Sequence, residues 1–355
     1  MSKEIIVVTI ALGNDGAERV LTELSNEWIR QGLKVTAIQM MANVYGSSFS
    51  LSEKVQVINL KTKKKTKIGK YMDRFIQICK ILNSKKNGTV LAFLPGPQVI
   101  LAMCSPFVKN RIIFSERNNP YDSPDTKFHR FLRDAAFLCA DSCVFQTKEA
   151  RDYFFKRIRQ RGRIIPNPIN PSLPHPYQGE RRKAIVAVCR LRPQKNLSML
   201  IDAFYRLNKY HKDYILEIYG QGDEEEKLIA QIERLKLENS VFLKGFCSNV
   251  HEKMVDCAMY VSSSNYEGIS NSMLEALAMG IPTVVTDCPI GGAKLMIQNN
   301  VNGILVPVGD SAKLCDAMRK VLENPDFSLK LSMNARKVVE KYPIDKIAKR
   351  WMEIF

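Results

Sequence analysis

Short runs of aliphatic residues alternate along this chain with longer stretches in which apolar side chains return every third or fourth position. That alternation reads as buried strands interleaved with amphipathic helices. Ile5–Ile10 is the first run, and Gly13-Asn14-Asp15-Gly16 the turn after it. Val20, Leu21, Leu24 and Trp28 then mark one face of a helix from about Ala17 to Arg30. Lys34–Met40, Val55–Leu60, Thr89–Phe93, Arg111–Ser115 and Ser142–Phe145 predict further strands. Strand, turn and helix repeated in this way predict a doubly wound α/β sheet. Prolines at 166, 168, 171, 174 and 176 interrupt the pattern, because they forbid regular helix or central strand, and place a domain boundary near 167–182. The alternation then resumes. Lys183–Cys189, Ile215–Tyr219, Val241–Gly245 and Thr283–Asp287 predict strands; Asn196–Leu207, about 310–323 and about 326–341 predict helices. A last amphipathic segment carries Ile347, Trp351 and Phe355.

The second half holds the stretch richest in chemistry, Tyr266 to Pro282. Glu267 and Glu275 lie eight residues apart, with Gly268 supplying a permissive turn and Ser270 or Asn271 a natural N-cap. Met273, Leu274, Leu277 and Ala278 have the spacing of a buried helix. Its unpaired N–H groups and positive dipole end would face the preceding loop and make a seat for phosphate. Glu275 could then accept hydrogen bonds from two vicinal hydroxyls, as on a ribose, and Glu267 could meet a sugar attached to the phosphates. A capped core helix with a solvated glutamate at each end has the same spacing.

At 355 residues the chain suits two domains of roughly 170 each, and its 45% hydrophobic content can fill both cores. No apolar run approaches the roughly 18 residues of a membrane span. Ile5 to Leu12 is too short for one and lacks a small-residue cleavage site after it, so it reads as a strand and not as a signal peptide. Nine scattered cysteines without CxxC pairs read as buried thiols in a reducing cytoplasm, and with four scattered histidines no structural zinc is expected.

Net charge is +17 and uneven. Residues 1–178 carry 28 Lys and Arg against 14 Asp and Glu, a net +14; residues 179–355 carry 25 against 22, a net +3. Part of the excess is the run Lys61, Lys63, Lys64, Lys65 and Lys67, followed by a helical stripe of Ile68, Tyr71, Met72, Phe75, Cys79 and Leu82. Such a basic amphipathic segment suits an anionic membrane surface. It equally suits a crossover helix packed inward behind a solvated lysine loop. Lysines without interleaved aromatics argue against nucleic acid.

The Glu267–Glu275 stretch and the small residues and Gly-x-Pro after it resemble the E-x7-E signature of the retaining glycosyltransferases of family 4. The resemblance implies that Glu275 binds the donor ribose and Glu267 the donor sugar, while the loop after Gly268, through the amides of Ile269 and Ser270, holds the diphosphate. Arg190 to Asn196 resembles the family's G-R-L-x-x-x-K motif, with Cys189 in place of the usual glycine, and implies that Arg190 and Lys195 grip the diphosphate. Such cations stabilise a leaving group most when its charge is fully developed. Gly220 falls in an I-x-G-x-G match, and in relatives the loop near Phe246 receives the base. Gly16 begins a match to G-G-A-E-R, a loop that faces the donor phosphates, although Asp15 replaces its first glycine. Glu116, Arg117 and Asn118 resemble a loop of polyprenol-linked-sugar transferases on the acceptor and sugar side. Many relatives have histidine where this chain has Arg117, which could hold phosphate or sugar oxygens or pair with Glu116 or Asp122.

The resemblance implies the GT-B architecture, two Rossmann-like domains facing a cleft. They are expected at 1–172 for the acceptor and 173–340 for the nucleotide sugar, with 341–355 a C-terminal helix packing on the first. The implied activity is retaining, metal-independent transfer of a hexose or N-acetylhexosamine, from a UDP-sugar by preference, to a saccharide acceptor that is lipid-linked, in polysaccharide or glycan-precursor assembly. A cytoplasmic protein peripheral at the inner face of the membrane is expected, with no cofactor. A nucleotide-sugar epimerase of similar fold and an inactive membrane-peripheral binding protein are the alternatives.

Overall fold

The computed structural model describes residues 4–13, 16–41 and 50–355. Two compact units divide it: residues 1–168 with 344–355, and residues 169–343. Asn14 and Asp15, in the first predicted turn, lie outside the described residues.

The first unit is a seven-stranded sheet of β1 (Glu4–Thr9), β2 (Lys34–Gln39), β3 (Gln56–Asn59), β4 (Thr89–Ala92), β5 (Arg111–Glu116), β6 (Ser142–Phe145) and β7 (Gly162–Ile164). Their order is β3-β2-β1-β4-β5-β6-β7, every pair parallel. Parallel strands need crossovers, and the helices α1 (Gly16–Arg30), α2 (Lys67–Ser84), α3 (Pro95–Cys104) and α4 (Lys127–Leu138) provide them. Residues 5–8 of β1 are all apolar because the strand is covered on both faces.

The chain returns to this unit at its end. In the helix Ile344–Met352, Trp351 is fully buried against Phe93, with ring centroids 5.4 Å apart, and against Trp28 at 6.5 Å. Trp28 Nε1 donates to the Ala348 carbonyl, and Arg111 Nε to that of Ile354. Burying two indoles, each about 150–250 Å², is what fixes this segment to α1.

The second unit is a six-stranded sheet of β8 (Arg182–Val188), β9 (Ile215–Tyr219), β10 (Val241–Gly245), β11 (Cys257–Ser262), β12 (Thr283–Thr286) and β13 (Ile304–Val306), all parallel in the order β10-β9-β8-β11-β12-β13. The chain winds outward from β8 in one direction and then from β11 in the other. The carboxyl ends of these two neighbours are therefore a topological switch point, the place where open α/β sheets hold ligands. The helix Leu197–Leu207 packs Leu200, Ile201, Phe204 and Leu207 into the core, as its spacing predicts. The predicted 326–341 helix is two, Pro325–Ala335 and Val338–Lys341.

The stripe predicted on α2 exists, but only part of it is covered. Of the stripe, Leu82 is buried, Phe75 and Cys79 are half-buried, and Ile68, Tyr71 and Met72 are exposed; Ile78, outside the stripe, is buried as well. The periodicity is sufficient to form a helix and silent about what lies over it. No described helix is long and apolar enough to cross a membrane.

Candidate functional site

Two loops of the second unit meet at the switch point: residues 189–196 after β8, and 263–270 after β11. Their backbones are laced together. Asn265 N–H donates to the Gln194 carbonyl at 2.8 Å, Asn265 Nδ2 to that of Pro193 at 3.1 Å, and Ser263 Oγ to those of Lys195 and Asn196 at 2.9 Å. Asn196 takes left-handed backbone (φ 46°), ends this loop, and caps the Leu197–Leu207 helix by accepting from Met199 N–H. Asn tolerates that conformation and has a cap-forming side chain, which is why one residue can do both.

The lacing brings Lys195 and Glu267 together across 72 positions of sequence. Lys195 Nζ lies 2.6 Å from Glu267 Oε1, and Gln194 Nε2 donates to Glu267 Oε2 at 2.7 Å and to the Tyr266 carbonyl at 2.9 Å. Burial alone would lower the Lys195 ammonium, but the facing carboxylate outweighs it and holds the lysine above its usual range. Cys189 sits among the same charges: burial pushes its thiol up to about 11, with Lys195, Glu267 and Arg190 all acting on it. Arg190, exposed at the loop's start, therefore shares this neighbourhood.

Glycines let the walls close. Gly220 has φ +142°, and a Cβ there would stand 1.8 Å from the Cys189 carbonyl oxygen. Gly220 thus supports the cationic loop through packing. A Cβ at Gly292 would stand 1.9 Å from the Gly268 carbonyl oxygen, so the Gly291-Gly292 turn is what allows the 268–270 loop its position. Ile269 is buried, and Ser270 caps the helix Asn271–Ala278 by accepting from Met273 N–H. Glu275, on that helix, is 3% exposed, and its Oε2 lies 2.9 Å from His251 Nε2 on the helix Val250–Met254. Phe246, just past β10, is half exposed.

The first unit treats its predicted residues differently. Glu116 Oε1 accepts from the backbone N–H of Arg117 and of Asn118, both at 3.0 Å, and Oε2 from the fully buried Arg133 at 2.9 Å. Burial raises the Glu116 carboxyl despite those donors. Arg117 donates to Asn167 Oδ1, and more weakly to Ser115 Oγ and the Ile165 carbonyl, and lies 4.7 Å over the Phe93 ring. These contacts, and not a salt bridge to Glu116 or Asp122, hold it. Burial pushes its guanidinium down to about 9, which leaves it charged at neutral pH. Asn118 Oδ1 accepts from Asn119 N–H. Gly16 opens α1, whose Glu18 accepts from Gly13 N–H at 3.0 Å.

Sequence reasoning missed three residues here: Gln194, His251 and Arg133. Gln194 adjoins a predicted lysine, and His251 is one of only four histidines, so adjacency and rarity are the signals that could have found them. Arg133 is a cation at an inward position of α4, where it also lies 5.2 Å from the rings of Tyr153 and Phe154.

Two doubly wound parallel units, with loops converging at the second unit's switch point, are the GT-B architecture. The structure of an S. aureus TarM mutant in complex with fondaparinux, alpha-GlcNAc-glycerol and UDP superposes with a TM-score of 0.86 over 99% of both chains at 15% identity. Residues 176–338 match the family model for glycosyl transferases group 1, which covers most of the second unit. A Campylobacter jejuni N-acetyl-D-galactosaminyltransferase acting on a diphospho-undecaprenol-linked saccharide is 25% identical over 99% of this chain and 98% of its own. The Bacillus subtilis poly(glycerol-phosphate) alpha-glucosyltransferase is 31% identical over 53% of this chain, which spans only 27% of that relative's length.

Proposed function

We propose that this chain is a retaining glycosyltransferase that moves a hexose or N-acetylhexosamine from a UDP-sugar to a lipid-linked saccharide. One observation carries the reading: Lys195, Gln194 and Glu267 converge at the switch point, beside the capped amino end of the Asn271–Ala278 helix. A carboxylate held by side-chain tips is exchangeable. On donor binding the Lys195 ammonium turns from Glu267 to the diphosphate, joined by Arg190 and the amides of Ile269 and Ser270. Glu267 is thereby released to the hydroxyls of the donor sugar, and Glu275 takes the ribose.

The bond between the anomeric carbon and the diphosphate oxygen then breaks, and the acceptor oxygen bonds that carbon on the same face. The acceptor's proton passes to the departing phosphate oxygen, so no protein nucleophile is needed. Lys195 and Arg190 stabilise the charge gathering on the diphosphate, where preorganised cations contribute most. We propose that they replace a divalent metal, so that EDTA leaves turnover unchanged. The relatives' undecaprenol-linked and polyol-phosphate acceptors support an anionic, lipid-linked acceptor. The protein would then act as a peripheral protein at the inner face of the membrane, with Lys61, Lys63, Lys64, Lys65 and Lys67 toward the headgroups.

The test is release of free UDP from UDP-sugars by the purified chain. Release that depends on added acceptor, and is lost in Glu267→Ala with folding intact, is the expected result. An epimerase would instead convert the donor without releasing UDP, and a binding protein would do neither.

A further inference from the structure

Beneath the two loops at the switch point lies a buried phenol. Tyr260, on β11, is 1% exposed and belongs to the apolar cluster that seats the Asn271–Ala278 helix on the sheet. A buried tyrosine finds a partner for its hydroxyl, and this one finds it at the helix's first turn. Tyr260 OH lies 2.8 Å from Ser272 Oγ, which lies 3.1 Å from Ser270 Oγ. Ser270 Oγ, the cap, accepts from Met273 N–H. Three hydroxyls therefore run in a row from the buried strand to the half-buried end of the helix.

The row has one direction. Burial pushes the Tyr260 phenol up to about 12, so it keeps its proton at neutral pH. Among the described residues its hydroxyl meets no acceptor but these serines. Tyr260 thus donates to Ser272 and Ser272 to Ser270, which leaves the Ser270 O–H to donate beyond the row. Hydrogen bonds in such a chain polarise one another, so the last donor is stronger than a lone serine.

We propose that the Ser270 hydroxyl donates to an oxygen of the donor's diphosphate, and that Tyr260 is the positioning residue that aims it. Lys195, and not the helix end alone, is the reason to expect an anion there. The Lys195 charge and the Tyr260 phenol act on each other, and the same lysine acts on Cys189. Capping by itself needs only the Ser270 side chain, so the two further hydroxyls serve its aim. This deepens the donor site proposed above and rests on it, adding a side-chain donor to the amides of Ile269 and Ser270. Phenylalanine at 260 would fill the same core space, so the hydroxyl can be tested apart from packing.

Calorimetry with UDP, and an NMR titration with uridine, which has the base and ribose but no phosphate, test this on the full chain. Ser270→Gly spares most of the cap's stability and should weaken UDP about tenfold, and Tyr260→Phe about fivefold. The double variant should be no weaker than Ser270→Gly, because Tyr260 acts only through that serine. Uridine binding should be unchanged in all three, and in turnover the donor KM should rise while the acceptor KM stays. Wild-type UDP affinity in Tyr260→Phe or in Ser270→Gly would overturn the proposal. So would equal losses for UDP and uridine, which would make Tyr260 a support of the whole pocket, or single losses that multiply in the double variant. Failure of the wild type to bind UDP at all would overturn the donor site itself, and this inference with it.

Discussion

Two strand-end loops of this chain each carry a glutamate beside cationic residues, and they use them in opposite ways. In the second unit, the Glu267 carboxylate is held by the side-chain tips of Lys195 and Gln194. In the first, the Glu116 carboxylate is held by two backbone N–H groups and by Arg133, which has no exposed surface. Side-chain tips can turn to a ligand at the loss of one hydrogen bond, whereas main-chain donors cannot move without unfolding their loop. The same residue types therefore make an exchangeable site in one unit and a brace in the other. Sequence motifs report the types; the donors decide the use.

The comparison breaks most sharply at Arg133. Arg133→Ala would leave Glu116 buried without its cation, and about 3–5 kcal/mol of stability should be lost, read by urea unfolding. A loss under about 1 kcal/mol would return Glu116 to the candidate site. Lys195→Ala should do the reverse, lowering acceptor-dependent UDP release by about 10²–10³-fold with little change in Tm. If it unfolds the protein instead, Lys195 is a brace as well. His251→Ala, which removes the imidazole beside Glu275 Oε2, should raise the donor KM about tenfold, near 1.4 kcal/mol, with kcat almost unchanged and recovery in His251→Gln. Equal losses in kcat and kcat/KM would place His251 in the chemistry. Gln194→Ala removes one hydrogen bond to a carboxylate that keeps Lys195, and a cost of about 1 kcal/mol in kcat/KM is expected.

Much of this arrangement is legible in the amino-acid sequence. The Ser270 cap and the apolar spacing after it predict the Asn271–Ala278 helix, because capping and periodicity act within a few residues. The I-x-G-x-G match singles out Gly220, although its reason is the Cys189 carbonyl, 1.8 Å from where a Cβ would lie. The partner of Glu267 is out of reach of such patterns, since Lys195 lies 72 positions away and only the pairing of β8 with β11 brings it near. Gln194 and His251 escape notice for the same reason. Each is a polar residue on a loop or short helix, without periodicity, whose role is set entirely by what stands opposite.

Taken alone, the sequence determined the kind of most of the longer elements and the residue types of both loops, all consequences of interactions between near neighbours in the chain. Tertiary structure decided which carboxylate is exchangeable, which glycine closes against which carbonyl, and which end of the α2 stripe is covered. Those outcomes follow from strand order, which brings distant segments side by side and which no local pattern of residues encodes.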